Sequence, residues 1–236
     1  MQMSGHILVQ QHNVASGREH EAFRWFQQDL APRLFAQGVG SARRYKLLDL
    51  QLQPENPQPH AYLSVFDFDP RTSPGALDAL SHLAREEPLA SGLLTDDAAH
   101  VYEMTRDWVP SPNPADMLAP EYLLLVMANF VVEMEDEYHD WYDNVHGPEV
   151  LDTPGFTGLR RGRRAERQAA PVNDYPSNAV VLSTTRTNDI IGSLDEFRAR
   201  ANGESKTGIH WNFRSPSASL ARTTHIFAPL TPRLTA

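Results

Sequence analysis

Apolar residues along this chain follow two rhythms. The apolar run Tyr122–Val132 reads as a buried strand, whereas Phe23, Phe26, Leu30 and Leu34 recur at spacings of three and four, the period of one helix face. In the first half the pattern predicts strand 7–14, helix 18–36, strand 39–49, a loop rich in Gln and Pro, strand 61–68, helix 74–87 and strand 99–106. In the second it predicts strand 122–132, helix 135–147, strand 156–164, a loop to Ser177, strand 178–187, helix 193–201 and strand 221–228. Each half therefore reads β-α-β-β-α-β.

The halves also share particular residues. At a shift of 116 residues Trp25 meets Trp141, Phe26 meets Tyr142, Pro32 meets Pro148 and Leu34 meets Val150, and His6–Asn13 lies over Tyr122–Asn129. One extra residue before Gly155 then brings Arg43 and Arg44 onto Arg160 and Arg161. Ser111–Pro120, with three prolines, reads as an extended linker between units 1–110 and 121–236. The expected fold class is α+β: two ferredoxin-like units, each an antiparallel sheet with helices on one face, packed sheet to sheet as an internal pseudo-dimeric α/β barrel. Exposed sheet edges would allow a homodimer.

Composition narrows the function. A net charge of −9 and a pI near 5.5 argue against a phosphate-binding surface, so nucleic acid is not an expected partner. The absence of cysteine removes disulfides and thiolate chemistry. The N-terminus lacks a basic flank leading to a long apolar core, and the run at 122–132 is too short to span a bilayer; no membrane partner and a cytoplasmic location are expected. No H-x-x-x-H or H-E-x-x-H spacing, Gly-rich phosphate loop or G-x-S-x-G occurs, so neither a metal nor a cofactor is expected.

In the second half Trp141, Tyr142, His146, Pro148, Pro154, Gly155 and Phe156 fall in the order E-x-F-x-x-W-Y-x-x-x-H-x-P-x-x-x-x-x-P-G-F. There the chain resembles the dimeric α/β-barrel superfamily, particularly its EthD-like branch. The resemblance implies a barrel of paired ferredoxin-like sheets with a ligand cleft between sheet and helices. It does not fix a reaction, since relatives include cofactor-free monooxygenases, cyclases, lactone isomerases and haem-binding enzymes.

His146 is the sharpest candidate, because the first half holds Leu30 at the matching position. An imidazole on an apolar stripe must find hydrogen-bond partners or open onto a cavity, where it would move protons near neutral pH. The alternative is a ring that closes the helix C-terminus by bonding backbone carbonyls. Tyr142, four residues earlier, would donate to an oxyanion or simply pack, and Asp143 would orient the imidazole or face water. His210, Trp211 and Phe213, on a stretch without counterpart in the first half, would form a lid or pocket wall, His210 assisting catalysis. Asn129 reads as a turn residue or ligand contact, His225 as pointing into the barrel, and Arg160 or Arg161 as holding an anion or a structural salt bridge.

These residues lead to a cofactor-independent enzyme of lyase, isomerase or cyclase type, using histidine acid–base chemistry on an aromatic or polyketide-like carbonyl compound. The alternatives are a haem-linked or cofactor-free oxygenase of the same fold, and a non-catalytic binding or assembly module.

Overall fold

The computed structural model describes residues 5–108, 119–170, 177–211 and 219–236. These residues form nine strands and four helical runs. The first half contains β1 (His6–Val14), α1 (19–35), β2 (Val39–Leu47), β3 (Tyr62–Phe68), α2 (76–90) and β4 (Leu94–Trp108). The second contains β5 (Glu121–Phe130), α3 (135–151), β6 (Phe156–Arg164), β7 (Ala179–Arg186), α4 (Ile190–Asn202), β8 (Ser219–Pro229) and a short β9 (Leu234–Thr235). Most of the predicted elements sit within a few residues of these bounds, but α3 runs on to Leu151 and β9 has no counterpart in the sequence reading.

Every strand pairing is antiparallel. The first half has the order β4-β1-β3-β2 and the second β8-β5-β7-β6. The inner faces of the two sheets enclose a shared core, as expected of facing sheets. The edges behave differently: β4 pairs with β6, and β2 pairs with β8, so eight strands close into a ring. The free edges behind the expectation of a homodimer are thus joined to one another within the chain.

Alternation along the strands sends residues to two kinds of core. Inside the ring lie Ile7, Val9, Leu63, Tyr102, Leu123, Leu125, Leu182 and Phe227. Outside it, Leu8, Phe66 and Val101 pack under α1 and α2, and Leu124, Leu159, Val181 and Ile226 under α3 and α4. One end of the barrel interior is plugged by charge: Asp67 binds Arg160 and Arg233, and Glu121 binds Arg43 and Arg186.

Three helical runs share an unusual turn. Pro32, Pro88 and Pro148 each sit just after a π-helical segment, where the N–H groups of Ala31, Glu87 and Gly147 donate to the carbonyls of Phe26, His82 and Tyr142, five residues back. Proline lacks an N–H and clashes with the carbonyl four residues earlier; the wider turn relieves that clash and lets the helix continue. The first and third of these turns, 26–30 and 142–146, are again 116 residues apart. The glycines that leave these two helices, Gly38 and Gly155, have φ of +85° and +88°, and a Cβ there would strike Ser73 Oγ or Ser193 Oγ. Most of the expected linker 111–120 lies outside the described residues.

Candidate functional site

The cavity that carries the chemistry lies between the outer face of the second sheet and helices α3 and α4. It encloses about 260 Å³. Leu124, Val126, Leu159 and Val181 form its floor, Tyr142, His146 and Val150 project from α3, and Phe197, Arg198 and Ala201 from α4. Leu52 and Gln53 close it from the loop after β2, so the first half contributes to a site in the second. Gln51 fixes that loop: its side chain donates to the carbonyls of Leu48 and Ile226 and accepts from the Ile226 N–H.

His146 is 7% exposed and borders the cavity. Its ring is held by aromatics on several sides. Trp141 stacks parallel to it with centroids 4.5 Å apart, and Tyr142 and Trp211 meet it edge-on at 5.0 and 5.1 Å. The helix does not end here, since the π turn carries α3 past Pro148; the expected role as a C-terminal cap is therefore replaced by a position in mid-helix. The carboxylate nearest Nδ1 is Glu149, at 3.6 Å, an ion-pair separation beyond direct hydrogen bonding.

Asp143, expected as the orienting acid, faces elsewhere. It binds the guanidinium of Arg161, which also meets His139 Nδ1 and lies 5.4 Å from the centre of the Tyr142 ring. Burial and the adjacent Arg161 hold the His139 pKa below its ordinary value, while Glu135 opposes them. Burial also lowers the pKa of Arg161, with Asp143 acting in the other direction.

The remaining candidates divide. Trp211 is buried against His146 and Phe197 and forms a wall, its backbone N–H donating to the Arg200 carbonyl. His210 next to it is exposed and does not line the His146 cavity, so its assisting role is not supported by position. Phe213 lies outside the described residues. Arg160 points into the barrel and is bound to Asp67, away from His146, because neighbouring strand residues face opposite sides. Asn129 and His225 lie at a second cavity, at the barrel mouth.

Sequence reasoning missed Glu149, Gln53, Phe197, Arg198 and Arg222. The spacing of three from His146 to Glu149 was visible as a helical pair, but the loop contact and the approach of α4 are tertiary.

No family model matches the sequence, and no curated protein matches it. Solved structures match across the chain. A proposed monooxygenase from Lactobacillus acidophilus covers 98% of this chain and 96% of its own at 10% identity, TM-score 0.61. Another, from Fusobacterium nucleatum, covers 100% and 96% at 9% identity, TM-score 0.63. An anthrone oxidase-like protein covers 98% and 93% at 12% identity, TM-score 0.60. The fold is that of the dimeric α/β barrel, with both sheets supplied by one chain. Among the described residues, no helix is long and apolar enough to cross a membrane.

Proposed function

We propose that the His146 cavity is the active site of an enzyme that moves protons on a small carbonyl compound with an aromatic or polyketide-like body, without an organic cofactor. The observation that carries this reading is the imidazole itself: it borders a cavity lined by both hydrocarbon and polar side chains, while the first half holds Leu30 there, fully buried. With Nδ1 turned toward Glu149, Nε2 is the nitrogen that takes a proton from carbon adjacent to the carbonyl, and the electron pair moves to the carbonyl oxygen as an enolate. Glu149 stabilises the imidazolium, and the Tyr142 hydroxyl and the cationic Arg198 at the rim stabilise the oxyanion. Return of the proton to a second carbon gives an isomerase, attack of the carbanion on another carbonyl a cyclase, and loss of a leaving group a lyase.

A second reading shares the first step. The similarity in fold to an anthrone oxidase-like protein and two proposed monooxygenases favours an enolate that is oxidised by dioxygen in this cavity. Haem suits the cavity poorly: about 260 Å³ lies below the roughly 300–1,000 Å³ of sites for drug-sized ligands, and a porphyrin is larger than most of those. Supplying anthrone in deuterated buffer tests both readings. Exchange at its acidic methylene that is lost in His146→Ala supports proton transfer, and oxygen uptake linked to that exchange selects the oxygenase. Turnover in His146→Ala equal to wild type would remove the assignment.

In this reading the halves are diverged copies of one ferredoxin-like unit, 1–110 and 121–236, of the EthD-like kind, with only the second retaining a site. The matched π turns, the matched Gly38 and Gly155, and the shared strand order support it.

A further inference from the structure

The open end of the barrel holds a second cavity of about 440 Å³, on the other side of the second sheet from the His146 cavity and sharing only Arg222 with it. We propose that it binds a small organic carboxylate with an apolar body, independently of the chemistry at His146. Two buried amides carry the argument. Gln11 on β1 and Asn129 on β5 are 6% and 7% exposed and both line this cavity. The Gln11 amide makes no side-chain hydrogen bond among the described residues, although it lies on the alternating face that points Ile7 and Val9 into the barrel. Asn129 Oδ1 accepts from the Asn178 N–H at 3.0 Å, which leaves its Nδ2 to donate into the cavity.

Charge selects the ligand. No Asp or Glu lines this cavity among the described residues, in a chain of net charge −9, while Arg222 stands at its border. His225 is already committed: Gln58 Nε2 lies 3.3 Å from its Nδ1 and the Asn56 carbonyl 3.0 Å from its Nε2, an arrangement met by the neutral ring with the proton on Nε2. Burial lowers the pKa of both His225 and His100, so neither imidazole supplies the positive charge at neutral pH. Arg222 at the border, two buried amide donors and an apolar wall of Met127, Pro57 and Pro59, beside the polar side chains of Gln58, His60, Ser177 and Thr223, form a set that matches a carboxylate on a hydrophobic body.

The test uses the whole chain labelled with 13C-methyl methionine, benzoate as probe, and benzyl alcohol as the same ring without the charge. Met127 points into the barrel beside Gln11, whereas its neighbours Val126 and Leu124 face the other cavity. Benzoate is expected to shift the Met127 methyl resonance, with benzyl alcohol weaker by about tenfold, and Gln11→Leu is expected to weaken benzoate by about tenfold, the usual effect of one charge-assisted hydrogen bond. Should Gln11→Leu lose the dispersion of the other methionine signals, Arg222→Gln, at an exposed position, carries the test by removing the preference for benzoate. An unmoved Met127 signal, equal binding of benzyl alcohol, or wild-type benzoate binding in both variants would overturn the proposal.

Discussion

The imidazole of His146 and the indole of Trp141 lie nearly parallel, 11° apart in plane with centroids separated by 4.5 Å. The two residues are five positions apart along α3, and the π turn between them brings the rings into register. The stack fixes the imidazole plane, so that Nδ1 meets Glu149 and the opposite edge is turned away from it.

Replacing His146 by the residue of the other half separates stability from activity. His146→Leu puts hydrocarbon among Tyr142, Val150 and Trp211, and is expected to leave the thermal midpoint unchanged or raise it. Exchange at the methylene of anthrone is expected to fall by about 100-fold or more, the scale of a positioned acid–base group. Calorimetry together with NMR exchange checks the two arms, and an active His146→Leu protein would contradict the assignment.

Arg161 is buried with Asp143 as its carboxylate partner, and Arg44 is buried in the first half at the matching strand position. There the residue aligned with Asp143 is Gln27, and the Arg44 guanidinium lies over the Tyr62 ring at 4.8 Å. Asp143→Asn is expected to cost about 3 kcal/mol, because it leaves a buried cation without its anion. Gln27→Asp is expected to act in the opposite direction. Urea midpoints of the two variants check both signs.

His12 gives the protein a dependence on pH. It is buried, stacked on Tyr62, and its pKa falls from 6.5 to about 3 through burial and the nearby Arg44. Above pH 6.5 the ring is neutral in both folded and unfolded chains, so it contributes no slope. Below that value the unfolded chain takes up a proton that the folded chain refuses until about pH 3, and stability declines as pH falls through this window. The expected loss is at most about 1.4 kcal/mol per pH unit. His12→Phe, which keeps a ring against Tyr62, is expected to flatten this part of the profile; equal slopes in urea melts at pH 5 and 7 for both proteins would refute it.

Gln51 ties the loop from the first half onto β8 over the His146 cavity. Gln51→Ala removes those bonds, and is expected to raise KM for the cavity's substrate several-fold with a smaller change in kcat, because Leu52 and Gln53 close the site without touching His146 chemistry. Steady-state kinetics distinguishes this from a catalytic defect, in which kcat would fall alone.

Periodicity by itself determined the order and approximate bounds of the main strands and helices, since a strand or amphipathic helix must show one face to a core whatever lies opposite. The exchange of Leu30 for His146 was likewise legible, because it compares two positions in one chain. The tertiary structure decided the rest. Closure of β4 on β6 and β2 on β8 depends on hydrogen bonds between backbones, which no side-chain pattern encodes. The choice of Glu149 over Asp143 beside His146 follows from the π turn before Pro148 and from Arg161 reaching α3 from the sheet. Asn129 and His225 were separated from His146 for the same kind of reason: a sheet has two sides, and side chains on opposite sides meet different cavities.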